Sequence, residues 1–248
     1  MRSSRLCAIV ILMLLAAGSA ATSPPRISII IDDLGYQLDA GRRAIDLPGP
    51  IAFAVLPGTP GAHALAVQAF ESGKEVLLHL PLQAMPNDAI QEPLGINLDM
   101  NRREFNDTFE RALTSVPHAI GVNSHRGSML TRHPGHMQWL MDEIQARENL
   151  FFVDSYTTHE SVALKIASET GVDARKRDVF LDPDRRPETV AREFERMKRL
   201  ADRRGSVVAI GHPYAATLEL LERELPKLAG DGYELVTISE LVLGEAAQ

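Results

Sequence analysis

The sequence predicts an α/β protein, a single domain folded as an irregular (β/α) barrel of about seven strands. Three observations carry this. Short apolar runs alternate with amphipathic helical stretches along almost the whole chain, the pattern of a parallel sheet. The first run, Ile27-Ser28-Ile29-Ile30-Ile31, is nearly continuous, as suits a strand covered on both faces. No break in composition follows Pro25, and 248 residues give room for one large α/β domain. Seven or eight strand–helix units at this length favour a barrel over an open doubly wound sheet.

The elements follow in order. After the extended linker Ser23-Pro24-Pro25, the first strand covers 27–31 and ends in Asp32-Asp33-Leu34-Gly35. Residues 51–56 form a second strand, stopped by Pro57-Gly58, and 60–72 a helix with Ala64, Ala66, Val67 and Phe70 as apolar positions. A third strand, 75–80, ends at Pro81. Residues 83–97, rich in Pro, Asn and Gly, form a long loop, and long loops within compact domains are usually functional. Helix 101–116 carries Phe105, Phe109 and Leu113 at spacing four, and a fourth strand, 119–123, runs into Ser124-His125-Arg126-Gly127. Helix 135–147, a fifth strand 150–153, helix 160–170 and a sixth strand 178–181 come next. The long helix 187–204 has the stripe Val190, Phe194, Met197 and Leu200. A seventh strand, 206–211, ends at His212-Pro213; helix 217–228 and a strand over 233–238 close the pattern. The charged run 182–204 reads as a solvated helix face.

The N-terminus has a different character. Arg2 and Arg5 precede an apolar run over 6–17 and then the small residues 18–23. This is the order of a secretory signal peptide, assigned to 1–22, with 23–248 as the domain. The run is too short for a transmembrane anchor. The expectation is a periplasmic or secreted protein with no stable membrane insertion after cleavage. Cys7 is the only cysteine and lies within the leader, so disulfide and thiol chemistry are excluded from the mature chain. Removing the two leader arginines from a formal charge of −7 leaves −9. Such acidity argues against nucleic acid or anionic lipid as a partner.

Chemistry-bearing residues follow one positional rule. The first strand ends in Asp32-Asp33, the third at His79, the fourth in Asn123-Ser124-His125-Arg126, the fifth in Asp154-Ser155 and the seventh at His212. In a parallel barrel those strand ends share one face, so residues distant in sequence converge. Each has a plain structural alternative: His79 as a core histidine, Asp154 as a helix cap, Gly211-His212-Pro213 as a turn. Five strands obeying one rule points to a site. One carboxylate and two histidines form a usual cradle for a hydrolytic divalent ion such as zinc. A second carboxylate can serve as general base and a histidine opposite as proton donor, a need His212 meets, with Asp154 orienting a neighbour. His63, His118, His133, His136 and His159 fall in helices or helix starts and read as caps and surface residues.

These residues resemble the divergent polysaccharide deacetylases, relatives of the NodB-type carbohydrate esterases. Ile31-Asp32-Asp33-Leu34-Gly35 is similar to their Thr-Phe-Asp-Asp-Gly motif, 75–79 to the strand entering their His-x-x-x-His motif, and 207–212 to the strand ending in their catalytic histidine. The resemblance spans roughly 27–238 and implies a NodB-like distorted barrel. It also implies that Asp32 is the general base and Asp33 a metal ligand. Two departures stand out. Gln83 occupies the place of the second motif histidine, and Ser124-His125-Arg126-Gly127 replaces the Arg-Pro-x-x-Gly motif. His125 is therefore inferred as the replacement ligand, giving Asp33, His79 and His125 around a divalent ion, Zn2+ by expectation. Asp32, His212, Asp154 and Arg126 are the catalytic candidates, Arg126 holding an oxyanion or an acidic substrate group. The implied reaction is N-deacetylation of an acylated glycan, related to the cell wall. The alternative is a catalytically silent, metal-containing envelope protein that binds glycan or a partner protein.

Overall fold

The computed structural model describes residues 23–85 and 92–244; the leader assignment over 1–22 lies outside them. The strands are β1 (Arg26–Leu34), β2 (Ala52–Val55), β3 (Glu75–Leu82), β4 (Ala119–Arg126), β5 (Phe151–Asp154), β6 (Ala174–Lys176), β7 (Val179–Phe180), β8 (Ser206–Gly211) and β9 (Glu234–Leu235). The helices are α1 (Leu38–Ile45), α2 (Ala62–Glu71), α3 (Arg102–Ser115), α4 (Pro134–Gln145), α5 (Ala163–Thr170), α6 (Pro187–Arg204), α7 (Ala215–Glu224) and α8 (Ile238–Leu243). The sheet runs in the order β6-β5-β4-β3-β2-β1-β8-β7, and its recorded pairings are all parallel. β9 pairs with the start of β1, at Arg26 and Ile27, where β2 has not yet begun.

The ends of this sheet come back together. Only Arg177 and Asp178 separate β6, at one end, from β7, at the other. Arg177 N donates to Asp154 O of β5 at 2.9 Å, and Asp178 N donates to Val208 O of β8 at 2.8 Å. The three Cα–Cα steps from Lys176 to Val179 span at most about 11 Å, so the sheet must curl into the expected irregular barrel.

Curling explains why the strands are apolar on both faces. Ile30, Ala52, Ala54, Leu77, Phe151, Val153, Val208 and Ile210 point inward and pack together. Ile29, Ile31, Phe53, Val55, Leu78, Phe152 and Val207 point outward against the helices. Alternation along each strand assigns the two sets. The inner set is closed from below by α8, whose Ile238 and Leu241 join it. Ile238 N donates to Glu75 at the start of β3, at 2.9 Å, which fixes α8 at the N-terminal end of the barrel. Interior space is tight: a Cβ at Gly121 would lie 2.6 Å from the Phe151 ring.

The differences from the sequence reading are local. The expected strand over 233–238 is only β9, because the chain turns into α8 behind a cap in which Thr237 accepts from Glu240 N. Helix 160–170 begins at Ala163, and helix 217–228 ends at Glu224, followed by a 3-10 turn. α1 and β6 are additional elements. His136 is buried beside Phe105 and Trp139 rather than on the surface, while His133 does cap α4.

Candidate metal centre at the mouth of the barrel

Strand alternation would send Asp32 and Asp33 to opposite faces. β1 avoids this by losing register with β2 between Ile31 and Leu34, where Asp33 takes φ +61°. A left-handed non-glycine residue costs on the order of 1–3 kcal/mol and persists where the surrounding fold enforces it. Arg126 and Tyr156, at the ends of β4 and β5, share this backbone state, with φ +56° and +52°. The kink lets both carboxylates reach one imidazole: His79 Nε2 lies 3.1 Å from Asp33 Oδ1 and 3.7 Å from Asp32 Oδ2.

β3 and β4 deliver the rest. His79 is in register with Asn123, and His125, two residues on, shares its face. His125 Nδ1 lies 3.0 Å from His79 Nε2 and 2.9 Å from Asp33 Oδ1. Three donor atoms of the right kind therefore form a nearly equilateral triangle. Bonds of about 2.0–2.1 Å in tetrahedral geometry put neighbouring ligand atoms about 3.3 Å apart. The triangle is within a few tenths of an ångström of that edge, so the residues fit a tetrahedral divalent ion with one position open. Gln83, in the place of the second motif histidine, instead accepts a hydrogen bond from Leu98 N through Oε1.

Hydrogen bonds behind the triangle orient it. Asn123, fully buried, donates from Nδ2 to Asp32 Oδ1 at 2.7 Å. A carboxylate only accepts, so the Asn123 carbonyl must be the group facing His79 Nδ1 at 2.8 Å. With a cation at the triangle, His79 would keep its proton on Nδ1 and turn the Nε2 lone pair to the ion. Burial works against charge on His79, but Asp32 and Asp33 outweigh it and hold the metal-free imidazole protonated up to about 9. Burial also pushes Asp33 upward, yet hydrogen bonds from His125 and His79 bring its carboxyl well below the usual range. Burial raises Asp32, opposed by the nearby charges of His79 and His212. A cation at the triangle would take over the compensating role of the protonated histidine.

His212 approaches from β8, with Nε2 3.6 Å from Asp33 Oδ2. Its Nδ1 donates to Asp182 Oδ1 at 2.8 Å. Asp182 Oδ2 accepts from His212 N and from Thr217 Oγ1, each at 2.7 Å. Burial lowers the basicity of His212, and the bond to Asp182 outweighs it, raising the imidazole above its ordinary value. Asp182, read from sequence as part of a solvated charged face, is buried and anchors this histidine. It obeys the strand-end rule, following the expected strand 178–181.

The structure brings Asp32, Asp33, His79, His125 and His212 together and leaves Asp154 out. Phe151 and Val153 face the barrel interior, so Asp154 points away from it. Its oxygens accept from Tyr156 N at 2.8 Å and Ser161 Oγ at 2.7 Å, pinning the turn into α5. Arg126 stands at the rim, its Nη2 4.0 Å from Glu92 Oε1 and its carbonyl accepting from Thr157 Oγ1 at 2.6 Å. Asn123, Glu92 and Asp182 are the site residues to which the sequence assigned no role. A half-buried Arg177 lies near Asp32, Asp154 and Asp182, whose charges oppose the lowering caused by its desolvation.

A parallel barrel with this cluster at its mouth has the fold of the carbohydrate-esterase deacetylases. The chain belongs to the divergent polysaccharide deacetylase family, whose model matches residues 29–242. It is 36% identical over 230 residues to the uncharacterized protein YibQ of Escherichia coli strain K12, covering 92% of this chain and 71% of that one. The structure is similar to that of the uncharacterized protein ATU2773 from Agrobacterium tumefaciens C58, with TM-score 0.84 and 21% identity over 90% of this chain and 91% of the other. It also resembles the catalytic domain of peptidoglycan N-acetylglucosamine deacetylase from Eubacterium rectale ATCC 33656, with TM-score 0.56 and 14% identity over 88% and 93% of the two chains. At these identities the two structures speak to the fold alone.

Proposed function

We propose that the protein is an exported, metal-dependent hydrolase that removes acyl groups from an acylated glycan, with N-deacetylation as the reaction. The observation that carries this is the triangle of Asp33, His79 and His125, flanked by a buried carboxylate, Asp32, and by the Asp182-tethered His212. Asp33, His79 and His125 would hold the ion, zinc by its donor set of one oxygen and two imidazole nitrogens. Bound there, it supplies Lewis-acid polarisation of the acyl carbonyl and acidifies water.

The chain's own groups divide the proton work. Asp32, raised by burial and oriented by Asn123, takes a proton from the attacking water. His212, made more basic by Asp182, gives its Nε2 proton to the departing amine nitrogen as the carbon–nitrogen bond breaks. The products are the carboxylic acid and the free amine, and each proton is accounted for. Arg126 at the rim offers its guanidinium to an oxyanion or to an acidic group of the glycan. Export rests on the leader-like residues 1–22, and among the described residues no helix is long and apolar enough to cross a membrane.

The test is acetate release from acetylated chitin-like and peptidoglycan-like oligomers, with and without chelator. Release that stops on chelation and returns with zinc is the expected result. Release that survives both chelation and Asp32→Asn would overturn the mechanism.

A further inference from the structure

We infer that Glu92 is a positioning residue of the centre, its carboxylate holding the His125 ring so that Nδ1 turns its lone pair to the ligand triangle. The inference rests on the metal-centre reading above and goes beyond it by naming what orients the second histidine.

The two histidines present different nitrogens, Nε2 of His79 and Nδ1 of His125. Each therefore needs an acceptor at its far nitrogen to fix the tautomer. His79 has Asn123. The far nitrogen of His125, Nε2, is buried and without a hydrogen-bond partner among the described residues. A buried N–H left unpaired loses its hydration with nothing to offset the loss. The group in front of it is Glu92 Oε1, at 3.8 Å. That separation is longer than a hydrogen bond, and closing it by about 1 Å makes one. A carboxylate only accepts, so it selects the tautomer with hydrogen on Nε2 and frees Nδ1 for a cation.

Glu92 is itself held in place. Its Oε2 accepts from Tyr36 OH at 2.6 Å, and Arg126 Nη2 stands 4.0 Å from Oε1. Tyr36 follows the Asp32-Asp33 end of β1, and Arg126 ends β4, so one carboxylate faces groups from two of the three ligand-bearing strands. The chain just beyond it is anchored as well: Ile96 N donates to Pro81 O at 2.8 Å, and Leu82 bridges Ile96 in parallel. The Glu92 side chain is only 12% exposed, unusual for a loop glutamate with a merely solvating role.

The experiment measures zinc affinity by competition with a chromophoric chelator for the parent chain, Glu92→Ala and Glu92→Gln, with circular dichroism to confirm folding. Loss of a group that orients a ligand typically costs 10–100-fold in metal affinity. Glu92→Ala is expected to bind zinc about 10–100-fold more weakly, and Glu92→Gln, which keeps an acceptor, to regain a large part of the loss. In zinc-loaded protein with 15N-labelled histidine, His125 should show a proton on Nε2, its resonance moving upfield in Glu92→Ala and little in Glu92→Gln. Parent protein that binds zinc with Glu92→Ala within twofold of it would overturn this inference alone. Parent protein that binds no zinc would overturn the metal-centre reading and this inference with it.

Discussion

Replacing Asn123 by alanine strikes the centre from behind. Asn123 is fully buried and bridges Asp32 and His79 through bonds of 2.7 and 2.8 Å. Protonated His79 is charged in the metal-free protein; a hydrogen bond to a charged group contributes about 1.5–3 kcal/mol net and an ordinary one about 1. Together the two bonds put the loss at about 2.5–4 kcal/mol, with no solvent present to replace them. For a domain of this size, each kcal/mol lowers Tm by about 2–4 °C, so metal-free Asn123→Ala should melt on the order of 10 °C below the parent. The same change frees the His79 ring to rotate or change tautomer, which should weaken zinc binding about 10–100-fold. Thermal unfolding by circular dichroism and a chelator competition read the two effects. A variant within 2 °C and twofold of the parent, by the thresholds set from these estimates, would refute the reasoning that Asn123 organises the site.

Three further outcomes are expected. Asp32→Asn is nearly isosteric and should leave zinc content and folding unchanged while lowering glycan deacetylation about 10²–10⁴-fold, which a metal assay beside acetate release would check. Protonated His79, held up to about 9 against an ordinary 6.5, stabilises the metal-free protein fully below pH 6.5 and stops doing so as the pH rises through about 9. His212 is raised in the same direction, so metal-free Tm should fall across that window, and zinc loading, which replaces the proton, should flatten the fall. Gly121→Val drives a side chain into the Phe151 ring and should cost about 1–3 kcal/mol through overpacking, measured by urea unfolding, with zinc stoichiometry intact.

The fold was legible because its signals are periodic and strong. Continuous apolar runs such as 27–31 marked strands with two covered faces, and the inner and outer packing of Ile30 against Ile29 and Ile31 is what such a run requires. α1 was not read from the sequence, because it is only eight residues long, holds Gly41 in its interior and starts behind Gln37 without a side-chain cap. β6, of three residues, is held by its pairing with β5, and β9, of two, by its pairing with the start of β1, rather than by local preference. The strand-end rule found the convergence of Asp32, Asp33, His79, His125 and His212. It misplaced Asp154, because the rule takes no account of which face a residue occupies. It overlooked Asp182, because the dense charge of 182–204 resembles a solvated helix. Glu92 lies in a loop with no period to read, and its place beside His125 follows only from how that loop returns across β3 and β4.

The central claim is tested most directly by a crystal structure of the zinc-soaked protein with anomalous data at the zinc edge. The account predicts one ion bonded to a carboxylate oxygen of Asp33, to Nε2 of His79 and to Nδ1 of His125 at about 2.0–2.2 Å, with Asp32 and His212 beside it and not bonded. An ion held elsewhere, for instance between His133 and His136, with the Asp33–His79–His125 triangle lacking anomalous density, would contradict it.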